Sequence, residues 1–309
     1  MLKRSKPVAP EAEMSFIDHL EELRWHVIRA LVAIMVFAIG AFFAKEFVFG
    51  ELIFGPSRPD FWTYRIMCEW GQYIGSQALC IDKLDFTVQS RKMTSQFTTH
   101  LSVSFLIGLV AAFPYVFWEF WRFFSPALRE GERNVSRGAV FFVSLLFLLG
   151  VLFGYFIVAP LSIRFLANYT VDPGVINEFD IGSYVETLTM IVLACAIMFQ
   201  LPIVVFFLTK IGIATPATMR AYRKMAIVIM LIVAAIITPP DVTSQILITI
   251  PLIILYEISI GLSGSVLKRK KKKEATELAR LETRERQYQQ QKMLEQERDN
   301  RPLDQRMDD

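Results

Sequence analysis

The chain has 309 residues, 53% of them hydrophobic, with a mean hydropathy of +0.40 and a formal net charge of +3. The apolar residues come in runs long enough to cross a bilayer, which excludes an ordinary soluble domain and indicates an all-α, polytopic membrane protein. The small net charge sums an evenly mixed body and a basic tail, and that tail begins beside a membrane span, a setting for lipid contact rather than nucleic-acid binding.

Residues 1–14 carry Pro7, Pro10 and mixed charge and read as a disordered N-terminus. Lys3, Arg4 and Lys6 are followed by a polar stretch and not by a short apolar core, so no secretory signal is expected. A helix is predicted from Ser15, where Ser15-x-x-Asp18 has capping-box spacing. Phe16, Leu20, Leu23 and Val27 form one stripe, so this is an amphipathic entry into a first span at about 25–46.

Residues 47–95 read as a long polar loop containing Cys68 and Cys80, a candidate disulfide on an oxidising side of the membrane. The second span covers about 96–121 and ends in an aromatic block, Phe113 to Phe124, followed by the charged run Arg129-Glu130-Gly131-Glu132-Arg133. Trp and Tyr favour the membrane boundary, so this is a helix leaving the bilayer through its interface. The third span is about 138–163 and the fourth about 184–209, interrupted by Pro202. The fifth, 225–238, and the sixth, 245–264, are joined by Thr238-Pro239-Pro240-Asp241. At 1.5 Å per residue the fifth reaches only about 21 Å, against about 30 Å of hydrocarbon. Residues 268–309 open with Lys268-Arg269-Lys270-Lys271-Lys272-Lys273 and continue as a polar, partly helical tail, so the domain boundaries fall at 14/15 and 267/268.

Basic residues fix the expected orientation. Arg122, Arg129, Arg133 and Arg137 follow the second span, Lys210, Arg220, Arg223 and Lys224 the fourth, and the polybasic run the sixth. The positive-inside rule puts these segments and both termini in the cytoplasm, in agreement with six spans.

Within the spans, Gln200 stands beside Pro202, and Glu257 lies near the middle of the sixth. Each is read either as structural glue or as a contact for a partner. His100 and Glu186 are near span ends, where snorkelling accounts for them. No Cys/His cluster has ligand spacing, so no metal or other cofactor is expected. Cys195 reads as an inert core thiol. On the cytoplasmic face, Glu21, Glu22 and Arg24 sit at the base of the first span and Glu119, Glu130 and Glu132 at the base of the second. Carboxylates on rigid helix ends, walled by aromatic rings, suit recognition of guanidinium groups. A proton-coupled small-solute transporter is the alternative, although it calls for more polar groups through the core.

Four stretches carry a family resemblance: FIDHLEELRWHVIRAL, FPYVFWEFWRFFSPALREGER, FQLPIVVFFL and TPPDVTSQILITIPLIILYEISI. In this order they resemble TatC, the multi-spanning subunit of the twin-arginine protein translocase, over residues 15–264. The resemblance implies a curved, cup-like arrangement of six helices with short fifth and sixth members. It implies a non-enzymatic receptor in the bacterial inner membrane that binds paired-arginine signal peptides of folded proteins. It also implies assembly with TatA- and TatB-type single-span partners, as a homo-oligomer within a receptor complex, and export driven by the proton-motive force. Carried over by motif, Glu22, Arg24, Glu132 and Arg133 become signal-binding residues, with Phe123 and Trp121 beside them, and Asp241 matches the outer hairpin. Glu119 is second choice, because the motif asks for no acid there. His26 stands where a basic residue, often arginine, is usual, and Gln200 where glutamate is common.

Overall fold

The computed structural model describes residues 16–75, 80, 86–124, 136–172, 174–175, 177–237 and 242–299. The N-terminal segment 1–14 therefore lies outside the described residues. Helices dominate: α1 (Phe16–Phe43), α2 (Lys45–Phe47), α3 (Trp62–Ile74), α4 (Ser95–Phe124), α5 (Ser136–Phe153), α6 (Ala159–Asn168), α7 (Ile181–Met198), α8 (Leu201–Ile211), α9 (Pro216–Ala221), α10 (Arg223–Ile237) and α11 (Val242–Asp299). A π-helical segment, Gly154–Val158, joins α5 to α6 without a break. Among the described residues, five helical stretches are long and apolar enough to cross a membrane: Leu20–Phe43, Ser95–Phe123, Val140–Asn168, Ile181–Ile211 and the apolar part of Gln245–Leu294. With 15 residues, about 22 Å long, α10 corresponds to the short fifth span expected at 225–238. The protein is a multi-pass membrane protein.

The chain divides into two compact units, Met1–Gln200 with Val228–Ile253, and Leu201–Ile227 with Ile254–Asp309. In the first, α1 packs along α4 with a close approach at Gly108. A Cβ there would stand 2.7 Å from both the Ala38 nitrogen and the Ile34 carbonyl oxygen, so only glycine admits this spacing. Gly150 does the same for α5 against α7, where a Cβ would lie 2.7 Å from the Ala196 Cα.

In the stretch expected to be a polar loop, 47–95, more than half of the described residues are helical. A π-helical segment, Val48–Ile53, and a 3-10 turn, Gly55–Ser57, lead into α3. Irregular helix ends leave carbonyls without intrahelical partners, and tyrosines supply the donors. The Tyr155 hydroxyl donates to Leu52 O at 2.8 Å, and Tyr184 donates to Ile53 O at 2.8 Å. The Tyr64 hydroxyl lies 3.0 Å from Pro56 O and 2.8 Å from Pro160 O, and burial pushes its phenol above the ordinary range. Hydrophobic pattern alone cannot reveal these bonds, because all but the Tyr64–Pro56 contact join residues far apart in sequence.

Beyond this tyrosine layer, β1 (Thr87–Gln89) pairs in parallel with β2 (Glu178–Asp180), in the register Thr87↔Glu178, Val88↔Phe179 and Gln89↔Asp180. Asp180 is also the N-cap of α7, accepting from Gly182 N at 3.0 Å. It accepts from Arg91 N at 3.0 Å as well, and the Ser95 hydroxyl is 3.4 Å away.

The fourth span is broken as Pro202 predicts: α7 ends at Met198, and α8 restarts at Leu201. The tail differs more. Where a partly helical tail was expected after 267, α11 runs on as one 58-residue helix to Asp299. The change at Lys268 is one of composition and not of backbone, because Lys, Arg, Glu and Gln are all good helix formers.

Candidate functional site

The end of the first unit where α1 begins and α4 finishes carries its densest polar chemistry. Helical spacing aligns Glu22, His26 and Arg29 on one face of α1 (i, i+4, i+7), and Tyr115, Glu119 and Arg122 on one face of α4. The antiparallel packing of the two helices brings these stripes together at Glu119, which is only 2% exposed. His26 Nδ1 donates to Glu119 Oε2 at 2.5 Å, and the Tyr115 hydroxyl donates to Oε1 at 2.9 Å. Arg29 Nη1 stands 3.9 Å from Oε2. The other imidazole nitrogen, Nε2, faces Glu22 Oε1 at 4.0 Å, and the Glu22 side chain is 42% exposed.

A buried carboxylate is tolerated when charge and hydrogen bonds surround it. Glu119 has a donor on each oxygen and a guanidinium nearby, so it is an internal anchor. Its role is to hold His26, whose far edge meets Glu22 at the mouth. Phe123 closes the cluster from the side, its ring edge-on to His26 with centroids 6.1 Å apart. The arrangement presents one solvent-reaching carboxylate on a rigid, aromatic-walled base, which suits a cationic ligand.

The residues predicted from sequence are placed as follows. Glu22 is at the mouth. Arg24 points elsewhere, its guanidinium 5.8 Å from the Trp25 ring centroid. Phe123 and Trp121 are both buried; Phe123 backs the cluster, and the Trp121 ring packs beside Phe117. Glu132, Arg133 and Asp241 lie outside the described residues. Gln200 follows the end of α7, with its amide nitrogen 3.5 Å from Val143 O and from Ala196 O. Its Oε1 and the neighbouring Ser144 hydroxyl are buried without a hydrogen-bond partner among the described residues.

In the second unit Glu257 forms a two-pronged ion pair with Arg223, Nε to Oε1 at 2.9 Å and Nη2 to Oε2 at 3.0 Å. Arg223 opens α10. Glu257 is therefore paired with the first residue of α10. His100 differs from expectation: it does not snorkel but stacks on Phe42, with centroids 4.1 Å apart, and its Nε2 is 3.1 Å from the Phe42 carbonyl. Cys68 and Cys80 are joined by a disulfide, and Cys195 is a buried free thiol. Among the described residues no group of three His, Cys, Asp or Glu side chains could hold a metal ion.

Sequence reasoning ranked Glu119 second and treated His26 as a departure. It missed Tyr115 and Arg29 altogether. The signal was there: two apolar helices each carry a polar stripe at i, i+4, i+7 spacing.

Comparison with known proteins gives a consistent result. The family model described as Sec-independent protein translocase protein (TatC) matches residues 18–251. The Sec-independent protein translocase protein TatC of Blattabacterium sp. subsp. Periplaneta americana is 38% identical over 260 residues, 84% of this chain and 98% of the relative. TatCy of Bacillus subtilis is 30% identical over 265 residues, 86% of this chain and 94% of the relative. Among solved structures, a crystal structure of the twin arginine translocase receptor TatC superposes with a TM-score of 0.60 at 31% identity. It covers 81% of this chain and 99% of that one.

Proposed function

The chain belongs to the TatC family of Sec-independent protein translocase proteins, and from that premise we propose that it is the receptor subunit of a twin-arginine translocase. It binds the paired-arginine signal peptides of folded proteins at its cytoplasmic face and works without catalytic chemistry of its own. The observation that carries this reading is Glu22, a half-exposed carboxylate 4.0 Å from His26, which is itself anchored on buried Glu119. A guanidinium gains two parallel bonds from a carboxylate held in one orientation, and anchoring removes the entropy that a mobile side chain would lose on binding.

Glu132 is the second carboxylate by motif, with Arg133 as its neighbour and Arg24 beside Glu22. Gln200 offers a buried amide oxygen to the polar side chain of a TatA- or TatB-type single-span partner. Glu257, already paired with Arg223, is reassigned to holding α11 against the start of α10. The distribution of arginine and lysine supports an inner-membrane protein with both termini in the cytoplasm.

The test is photocrosslinking of a twin-arginine signal peptide to membranes containing the full chain. Glu22→Ala and Glu132→Ala are each expected to abolish the crosslink while membrane insertion stays normal. Normal crosslinking in both variants overturns the assignment.

A further inference from the structure

The helix α3 has three sectors. At 100° per residue, Thr63, Met67, Gly71 and Tyr64 occupy one broad side, and Thr63 and Tyr64 on that side are buried. Trp62, Ile66, Trp70 and Tyr73 fall within about 80° of one another on a second side. There Trp62 is 56% exposed, Trp70 63% and Tyr73 90%. Glu69, Arg65 and Gln72 form a third, exposed and polar side adjoining the aromatic one.

The buried side is moored to a membrane span and not to a loop above it. The Thr63 hydroxyl donates to the Phe156 carbonyl, and the Tyr64 hydroxyl lies 2.8 Å from the Pro160 carbonyl oxygen. The Trp62 ring meets Phe156 edge-on at 5.6 Å. Phe156 and Pro160 lie within the apolar stretch Val140–Asn168, about 18 and 12 Å short of its end along the helix axis. A helix fixed at that depth presents its outer side to the bilayer. Water alone would leave two tryptophans and a tyrosine exposed on one stripe, an unfavourable arrangement for a helix whose neighbouring stripe is charged.

We propose that α3 is an interfacial helix whose Trp62, Ile66, Trp70 and Tyr73 sector lies against the acyl–headgroup boundary of the leaflet opposite the Glu119 cluster. Its three sectors match three surroundings: protein, lipid and water. Tryptophan and tyrosine suit the lipid boundary because each has an apolar body and a polar edge, and the charged stripe beside them meets the headgroups and water. The Cys68–Cys80 disulfide ties the helix to the returning chain, which keeps the aromatic stripe in register with the membrane surface. The inserted stretch between the first two spans thereby gains a role as a lateral anchor.

The experiment uses the full chain in lipid nanodiscs with a maleimide nitroxide at Tyr73→Cys and, separately, at Gln72→Cys. Both positions are exposed, so neither label disturbs packing, and Cys195 is buried. Power saturation should show the label at 73 several-fold more accessible to oxygen than to a water-soluble nickel chelate, with the opposite preference at 72. Preference for the nickel chelate at both positions overturns the proposal. Exclusion of both reagents at 73 also overturns it, because a second copy or another protein would then cover the stripe.

Discussion

The two ends of the first unit hold their helices together with opposite chemistry. At the Glu119 end a buried carboxylate, an imidazole, a phenol and a guanidinium converge between α1 and α4. At the far end three tyrosine hydroxyls reach backbone carbonyls in the π-helical segment, Leu52 and Ile53, and in the 3-10 turn, Pro56. These tyrosine bonds are neutral, and each of the three buried hydroxyls finds a carbonyl. Ionisable groups at the other end carry a desolvation cost that pure scaffolding does not require. That asymmetry points to the charged end as the place where a cation is received.

The comparison breaks most severely at Glu119. Glu119→Ala leaves buried His26 without its carboxylate, and removing one partner of a buried pair costs about 3–5 kcal/mol. Thermal unfolding in detergent is expected to show a lowered midpoint, with loss of the signal-peptide crosslink even where folded protein is recovered. Glu119→Gln, which keeps an acceptor for Tyr115, should recover much of the stability but not the position of Glu22. A crosslink unaffected by both variants would reduce the cluster to scaffolding and erase the asymmetry.

At the neutral end the expected effect is smaller. Tyr64→Phe keeps the ring and removes only the hydroxyl, leaving the Pro56 and Pro160 carbonyls short of a donor. Such a loss costs about 1–3 kcal/mol. The same unfolding assay should register it with the crosslink intact, because this end has no part in binding.

How much of this was legible in the sequence differs between the two ends. The charged end was half visible: motif and helical spacing marked Glu22, and the aromatic block marked the helix exit. Glu119 ranked second because the motif asks for no acid there; its burial is a property of two helices together, and no single stripe shows that Gly108 lets α1 approach so closely. The neutral end was nearly invisible. Tyr64, Tyr155 and Tyr184 each meet a carbonyl on another element, and unpaired carbonyls exist only once the π-helical turns have formed. The same holds for β1 and β2, which are three-residue strands pairing across 91 positions at Thr87 and Glu178. Hydrophobic periodicity has nothing to report in so short a segment. The spans were read well because hydropathy alone dictates them. Only the continuity of α11 escaped, since a change of composition at Lys268 looks like a boundary whether or not the helix stops there.

The smallest expected effect comes from Asp180, an acidic residue that helps tie down the tyrosine-bonded end. The Arg91 backbone N–H, followed by the Gly182 N–H and the Ser95 hydroxyl, holds its carboxyl below the ordinary carboxylate range, against the opposing effect of partial desolvation. A carboxylate with a lowered folded-state pKa contributes stability that is fully present above the unfolded-state value, about 3.9. The contribution disappears as pH falls through the folded-state value. Asp180→Asn keeps one oxygen acceptor for the α7 cap and removes the charge. The variant should therefore be modestly less stable than the parent at neutral pH, and the two unfolding midpoints should converge in acid. A gap that stays constant from neutral pH into the acid range would mean that Asp180 acts only through its shape. The far end would then be neutral in its energetics as well as in its tyrosine bonds, which would make the contrast with the Glu119 end sharper still.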